Sequence, residues 1–107
     1  IAEIVREKVF ELTEQEVPHS ITCVVEAIEQ KENSYHIHVA IIVDRDSLKK
    51  IVIGSHGSKI KEIGTRARTE LEELLEKKVY LETYVKTIPK WRDKEKYLLE
   101  FGFHEFE

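Results

Sequence analysis

The feature that most constrains this chain is a Gly-x-x-Gly turn between two apolar stretches, Gly54-Ser55-His56-Gly57. Because glycine has no Cβ and readily adopts positive φ, such a turn can bring backbone amides close to a group outside the chain. The segment that begins at Ser58 has the pattern of a helix, and the N-terminal amides and dipole of a helix attract an anion. The turn therefore indicates a phosphate-binding site, although the motif alone is equally typical of a plain helix-turn-helix corner.

The residues around the turn make the motif more specific. Residues 51–64 read Ile-Val-Ile-Gly-Ser-His-Gly-Ser-Lys-Ile-Lys-Glu-Ile-Gly. This sequence resembles the KH motif of RNA-binding domains, in which a GXXG loop clamps the nucleic-acid backbone. The flanks thus favour a nucleic-acid site over a structural corner.

Charge is distributed unevenly along the chain, although the formal net charge at pH 7 is −4. Residues 45–68 carry seven positive and two negative side chains, a net charge of +5, whereas residues 1–32 carry three positive and eight negative, a net charge of −5. Affinity for a phosphodiester depends on the local patch rather than on the overall sign. A charge run is usually a solvated helix face, but this positive run coincides with the glycine turn and favours nucleic-acid binding.

Size and composition limit the classes of protein to which the chain can belong. We expect its 107 residues to form a single domain, 1–107, with one hydrophobic core. Hydrophobic residues make up 41% and charged residues 36%, and no apolar run approaches the ~20 residues of a membrane helix. The single Cys23 cannot form an internal disulfide, and we expect a buried thiol in a cytoplasmic protein without a secretory signal. The chain begins with Ile1 rather than Met, so we expect it to be a fragment of a longer protein.

The first half of the chain predicts a helix and a β-hairpin. Residues 1–12 have an apolar face at helical spacing, and residues 13–19 are predicted to be a connector because Val17-Pro18 stops a helix. From Ser20 the pattern alternates with period two, as in a strand. The turn is predicted at residues 32–34 and the returning strand at residues 35–43. The residues predicted to share one face of the first strand are Ile21, Cys23, Val25 and Ala27.

The second half predicts two helices around the glycine turn, a third strand and a last helix. Ser47 is predicted to cap a short helix that ends at Ile53. Gly64 costs about 1 kcal/mol relative to Ala inside the next helix, which predicts the close approach of another backbone. Residues 79–86 alternate as a strand, and residues 93–102 are predicted to form a helix that Trp91 anchors on the core. The predicted core stripe of the helix after the turn is Ile60, Ile63, Ala67, Leu71 and Leu74.

The predicted order is therefore α-β-β-α-α-β-α, an α+β fold with a three-stranded sheet packed by helices. This arrangement is similar to the type II, prokaryotic form of the KH domain. Several separate segments also resemble the C-terminal KH domain of the Era family of GTPases, over nearly the whole chain to about Phe103. These segments are Arg6-Glu7-Lys8, Glu16-Val17-Pro18-His19-Ser20, Arg45-Asp46-Ser47, Lys61-Glu62-Ile63-Gly64 and Trp91-Arg92-Asp93.

The resemblance implies a function and a set of partners. In the Era family a GTPase domain precedes the KH domain, which binds single-stranded RNA at the 3′ end of small-subunit ribosomal RNA during ribosome assembly. It implies as partners this RNA, the small ribosomal subunit and the GTPase domain of the same protein. We expect a cytoplasmic monomer, and the full-length protein could also sit peripherally at the inner membrane face. No G-x-x-x-x-G-K-[ST] motif occurs, so we expect no enzymatic activity and no cofactor in this chain, with GTP and Mg²⁺ confined to the missing GTPase domain.

The resemblance also assigns RNA-binding residues. Gly54 and Gly57 would admit the RNA backbone, and Ser55 and His56 would face it. Family members often carry a basic residue in this pair; here the candidate is His56, which is only partly charged near neutral pH, so the hold on phosphate would be weaker and pH-dependent. Basic residues would flank the RNA path and isoleucines would floor it, two of the three isoleucines being mainly core. These flanking and floor residues are Arg45, Lys49, Lys50, Lys59, Lys61, Ile53, Ile60 and Ile63.

Other functions are less favoured by the sequence. The chain could be the KH domain of another bacterial RNA-binding protein, a general single-stranded nucleic-acid binder, or a protein-docking module that uses the acidic first helix and the tail at 91–106. His36 and His38 alternate on one strand face and could chelate a metal with His56 or Glu26, but no third ligand has a fixed spacing, so we expect no metal site. No carboxylate pair stands in an apolar setting, and we predict no catalytic residue.

Overall fold

The computed structural model describes residues 1–13 and 21–91. The predicted last helix, with Asp93 and Gly102 at its ends, and most of the predicted connector lie outside the described residues. The order of the described elements confirms the predicted α+β fold. The elements are α1 (Ala2–Leu12), β1 (Ile21–Lys31), β2 (Ser34–Val43), α2 (Asp46–Ile53), one 3₁₀ turn (Ser55–Gly57), α3 (Ser58–Leu75) and β3 (Lys78–Thr87).

The three strands form one mixed sheet in the order β1-β2-β3. β1 and β2 form the predicted antiparallel hairpin, whose turn is Glu32 and Asn33. β3 runs parallel to β2, with Lys78 opposite Ser34 and Thr87 opposite Val43. Parallel neighbours require a long crossover connection, which here consists of α2, the glycine turn and α3. The glycine turn therefore lies inside the crossover.

β1 does not alternate along its whole length. Val25 pairs with Val39, but Ala27 pairs with His38, so Glu26 is an extra residue that forms a β-bulge. A bulge moves the residues that follow it to the opposite faces of the sheet. The prediction that Ala27 shares a face with Ile21 was therefore wrong.

The core fills the space between the sheet and the helices α1 and α3. Val5 and Val9 of α1 are buried there, and α3 contributes a stripe of fully buried residues: Ile63, Ala67 and Leu71. The predicted end of this stripe was wrong, because Leu74 is 67% exposed whereas Leu75 packs against the core. A four-residue step after Leu71 keeps a side chain closer to the buried face than a three-residue step does at this end of the helix.

The predicted burial of the Cys23 thiol is confirmed, and Trp91 is also buried. Cys23 is a buried thiol, and burial raises its pKa to about 12. Trp91 is 2% exposed and packs on the other face of the sheet against Ala40 and Ile42. The helix that Trp91 was predicted to anchor lies outside the described residues.

Lys8 links α1 to α3 through carboxylates. Its Nζ atom lies 3.0 Å from Glu70 Oε2 on α3, and 3.3 Å and 3.8 Å from carboxylate oxygens of Glu7 and Glu11. The interaction with Glu70 is the largest of the effects that together raise the pKa of Lys8 above 10.5. This cluster fixes α1 along the second half of α3.

No helix in the described ranges is long and apolar enough to cross a bilayer.

Candidate nucleic-acid interface

The backbone of the glycine turn takes the conformation that the sequence predicted. Gly54 has φ +76° and Gly57 also has φ +76°, the region that favours glycine. The Gly54 amide donates to Lys50 O at 2.9 Å and ends α2, while Gly57 is the N-cap of α3. The two glycines therefore act as the stop of one helix and the start of the next.

The two glycines are required for different reasons. A Cβ on Gly54 would lie 2.9 Å from the backbone nitrogen and from the Cβ of Lys59, closer than such atoms approach in proteins. A Cβ on Gly57 would meet nothing within 4 Å, so only its positive φ excludes other residues. Gly54 thus allows α2 and α3 to come close, and Gly57 sets the direction in which α3 leaves.

The two residues between the glycines are exposed. His56 has φ 56° and ψ 28°, a left-handed conformation that costs of order 1 kcal/mol or more for a residue with a side chain. Ser55 Oγ lies 3.0 Å from His56 Nδ1, and the Gly57 amide donates to Gly54 O at 3.2 Å. These bonds hold the turn in shape with both side chains facing outward.

The start of α3 is open to an anion. α3 has 18 residues, and no side chain caps its N-terminus. The Gly57 amide donates to Gly54 O and the Ser58 amide to Ser55 O, while the positive end of the helix dipole remains there. Lys59 and Lys61 lie in the first turn of the helix, and neither forms an ion pair within residues 1–13 and 21–91. The turn and the helix start therefore offer both donors and positive charge.

The basic residues in α2 and at its N-cap differ in whether they form an ion pair. Lys49 and Lys50 have no ion-pair partner in the part of the chain that the structure describes, whereas Arg45 Nε lies 3.4 Å from Asp44 Oδ1. α2 begins at Asp46 with Arg45 as its N-cap, so the prediction that Ser47 caps this helix was wrong. The amides of Leu48 and Lys49 donate to Arg45 O, so the first helical bonds close on Arg45, and Thr87 Oγ1 donates to Asp46 Oδ1 at 2.7 Å and ties the helix start to the end of β3.

The three isoleucines predicted to floor the groove do not have the same exposure. Ile53 and Ile60 are half-buried and pack against the edge of the core. Ile63 is fully buried, because its position on α3 faces the sheet. Ile63 is therefore a core residue, as was expected for two of the three isoleucines, and its side chain has no exposed surface in the groove.

The structure adds a recess that the sequence analysis missed, between α3 and β3, with a volume of about 330 Å³. Gly64, Thr65 and Arg68 lie three, four and seven positions after Lys61. This is the spacing of one helix face, so the helical period alone could have indicated these three residues. The β3 residues could be found only from the parallel pairing. The residues that line the recess with Lys61 are Ile60, Gly64, Thr65, Arg68, Leu81 and Thr83.

Gly64 does not have the neighbour that was predicted. A Cβ on Gly64 would lie 3.7 Å from Oγ1 of Thr83, an ordinary contact with a side chain rather than a clash with a backbone. The helix and the strand are separated by the recess at this point. Because Gly64 has no side chain, the recess stays open, and no close approach of another backbone requires a glycine there.

The two histidines of β2 lie on the sheet face opposite α3. The His36 ring stacks on Tyr80, with ring centroids 4.6 Å apart, and His38 Nδ1 lies 3.2 Å from Glu82 Oε2. Among the described residues, no group of three His, Cys, Asp or Glu side chains is arranged to hold a metal ion.

The fold is a mixed three-stranded sheet, and its parallel crossover contains a GXXG turn between two helices. These features define the class of GXXG-loop domains. The comparison with family models agrees with this assignment: the KH domain model matches residues 16–92. The chain belongs to the KH domain family.

The proteins that match this chain include GTPases named Era. The chain is 49% identical over 106 residues to the GTPase Era of Leuconostoc citreum, covering 98% of this chain and 35% of that protein. Among solved structures, a point variant of Aquifex aeolicus Era bound to GDP and aluminium fluoride is 48% identical with a TM-score of 0.90. Era in complex with MgGDPNP and nucleotides 1506–1542 of 16S ribosomal RNA gives the same identity and TM-score. Both structures cover 95% of this chain, and the chain spans 35% of each of them.

Proposed function

We propose that this chain is the RNA-binding KH domain of an Era-type GTPase, and that it binds single-stranded RNA from the 3′ end of small-subunit ribosomal RNA during ribosome assembly. The observation that carries the proposal is the exposed turn with positive φ at Gly54 and Gly57, placed at the uncapped start of α3. The Era structure that contains nucleotides 1506–1542 of 16S ribosomal RNA supports the choice of RNA.

The turn and the lysines would hold the RNA backbone. A phosphate at the turn would accept hydrogen bonds from amides at the start of α3 and lie close to Lys59 and Lys61. Such contacts fix the position of the strand but carry no sequence information. Splayed bases would then lie over the half-buried Ile53 and Ile60 and beside α3 and β3.

The rest of the full-length protein would supply the other activities. We assign GTP hydrolysis and Mg²⁺ binding to the part of the relatives that this chain does not cover, and no catalytic role to this chain. Its further partners would be the small ribosomal subunit and that GTPase domain. The location would be cytoplasmic, because the ribosomal RNA is assembled there.

A double substitution in the turn tests the proposal. Ser55→Asp with His56→Asp places two carboxylates where the phosphate would lie, on exposed side chains that contribute nothing to the core. Like-charge repulsion should weaken binding of a labelled RNA copying the 3′ end of 16S ribosomal RNA by about tenfold or more. Fluorescence anisotropy at two salt concentrations measures this, and binding by the wild type should weaken as salt is raised.

The matched control carries the same change in charge elsewhere. Asn33→Asp with Ser34→Asp adds two carboxylates at the β-hairpin turn, at the end of β2 away from α2. It should bind RNA as the wild type does. Equal weakening in both variants would mean that only net charge matters, and no binding by the wild type would remove the proposed function and favour a protein-docking module.

A comparison of RNA with DNA separates the proposal from general single-strand binding. The proposed target is RNA, and the 2′-hydroxyl is the group by which a protein tells RNA from DNA at a given sugar. We expect the RNA to bind more tightly than DNA of the same sequence. Equal affinity would assign the chain to general single-stranded nucleic-acid binders.

A further inference from the structure

The side chains of Ser55 and His56 form a hydrogen bond within the glycine turn. Ser55 Oγ lies 3.0 Å from His56 Nδ1, and both residues are exposed. His56 has φ 56° and ψ 28°, a conformation that is uncommon for residues other than glycine and persists where the surroundings hold it. Here the Gly57 amide, bonded to Gly54 O at 3.2 Å, closes the turn around it. The two side chains are therefore held together at the surface where a phosphate would lie.

The direction of this hydrogen bond depends on the protonation of His56. A neutral imidazole has one N–H group and one acceptor nitrogen, whereas an imidazolium has two N–H groups. When Nε2 carries the proton of the neutral ring, Nδ1 is the acceptor and the Ser55 hydroxyl donates to it. In the imidazolium, Nδ1–H donates and Ser55 Oγ accepts. The hydroxyl hydrogen of Ser55 is then free to bond a phosphate oxygen.

Positive charge dominates on the two helices that flank the turn. Asp46 and Glu62, the carboxylates on α2 and in the first half of α3, already accept hydrogen bonds from Thr87 at 2.7 Å and Arg66 at 2.9 Å. Between about pH 6 and 8, histidine is the side chain that ordinarily changes its charge, whereas lysine and carboxylate side chains keep theirs. The charge at the turn therefore responds to pH through His56. The lysines on the same two segments are Lys49, Lys50, Lys59 and Lys61.

We propose that Ser55 is a phosphate-contacting residue whose hydroxyl is released by protonation of His56. The proposal rests on the proposed function, because the phosphate belongs to the RNA held at the turn. In the neutral pair, the Ser55 hydroxyl is bonded to Nδ1 and the ring carries no charge. In the protonated pair, the ring is positive and the Ser55 hydroxyl donates to a phosphate oxygen. A hydrogen bond to a charged acceptor is roughly twice as strong as a neutral one, so one proton strengthens two contacts with the RNA backbone.

The tautomer of the neutral ring tests the switch in the absence of RNA. NMR of nitrogen-labelled protein distinguishes a proton on Nε2 from a proton on Nδ1, and the signals that disappear in His56→Asn identify the ring. We expect neutral His56 at about pH 8 to carry its proton on Nε2. A proton on Nδ1 would leave the Ser55 hydroxyl free at every pH and would overturn the proposal without touching the proposed function.

RNA affinity at two pH values tests the contact itself. Anisotropy of a labelled RNA copying the 3′ end of 16S ribosomal RNA is measured at about pH 6 and about pH 8 for the wild type, Ser55→Ala and His56→Asn. Asparagine does not titrate and tolerates the left-handed conformation. The wild type should bind about tenfold more tightly at the lower pH. Ser55→Ala should reduce this ratio to about threefold by weakening binding at the lower pH, and His56→Asn should abolish it. Equal weakening at both pH values in Ser55→Ala, or an unchanged ratio in either variant, would overturn the proposal.

His38→Gln and Ser34→Ala are the matched controls. His38 pairs with Glu82 on the sheet face opposite α3, and Ser34 lies at the β-hairpin end of β2. Both variants should keep the ratio of the wild type, and its loss in His38→Gln would assign the pH dependence to another histidine and overturn the proposal. RNA binding by the wild type that does not change with pH would also overturn it and leave the proposed function intact. No RNA binding at either pH would overturn both.

Discussion

The two halves of α3 use their charged residues differently. In the first half, Arg66 pairs with Glu62 at 2.9 Å, but Lys59 and Lys61 of the first turn have no ion-pair partner within the described ranges, and the helix start has no side-chain cap. In the second half, charged residues are paired: Arg68 with Glu72 at 3.7 Å, and Glu70 with Lys8 of α1 at 3.0 Å. The second half joins the helix to the rest of the domain, and the first half is left open to a ligand.

This division costs the fold little. An exposed ion pair contributes about 0–1 kcal/mol, so two unpaired lysines on a helix surface reduce the stability only slightly. The same lysines facing a phosphodiester gain from counterion release, which depends steeply on salt. Substitutions in the first half should therefore change RNA binding, and substitutions in the second half should change stability.

The largest effect should come from Gly54, which ends α2 and lies against Lys59 of α3. Gly54→Ala forces a Cβ against the Lys59 backbone nitrogen and strains a positive φ, so we expect a loss of about 2–3 kcal/mol in the free energy of unfolding together with weaker RNA binding. Gly57→Ala strains φ alone and should cost about 1 kcal/mol. Urea denaturation of the two variants measures the difference, and equal losses would show that the close approach of Lys59 is unimportant.

Lys61→Met should separate binding from stability. Lys61 is exposed and lies beside both the turn and the recess. Loss of one phosphate contact should lower the slope of log affinity against log salt by about 0.7, with stability unchanged within about 0.5 kcal/mol. Anisotropy over a salt series gives the slope. An unchanged slope would place the RNA backbone elsewhere.

Lys8→Met should have the smallest effect of these substitutions. Unlike Lys61→Met, it should lower the stability and leave RNA binding unchanged. The change removes the charge that links α1 to Glu70 but keeps the apolar stem, so we expect a loss of about 1 kcal/mol in stability and unchanged RNA binding. Because the pKa of Lys8 is raised in the folded state, its charge contributes stability fully below pH 10.5, and this contribution is lost as pH rises through the raised value. The difference between variant and wild type should thus shrink above pH 10.5, as denaturation at several pH values can show. A difference that stays constant with pH would mean that packing rather than charge is responsible.

The fold was largely predictable because its signals are local. Period-two alternation located β2 and β3, helical spacing located α1 and α3, and the glycines fixed the turn. The errors occurred where a neighbour decides the outcome. The bulge at Glu26 depends on pairing with β2, and the first residue of α2, Asp46, accepts a hydrogen bond from Thr87, which is 41 residues away.

The candidate site was predictable to the extent that it is continuous in sequence. Gly54, His56 and Lys61 belong to a single motif, and the positive φ of the glycines follows from residue type. The recess was missed since one wall comes from β3, with Leu81 and Thr83, which are distant in sequence from the turn. Helical spacing placed Ile63 on an apolar face, but it could not decide which of the three isoleucines are covered by another element.

The sequence by itself determined the turn, since only residues such as glycine adopt positive φ at low cost, and it determined the polarity of charge along the chain. The tertiary structure alone decided which charges are paired and which remain open. The crossover lays α3 across the sheet, so that Glu70 in its second half meets Lys8 of α1, while Lys59 and Lys61 in its first turn have no ion-pair partner among the described residues. A surface for RNA arises there because ion pairs and recesses depend on distances between segments, which no local pattern encodes.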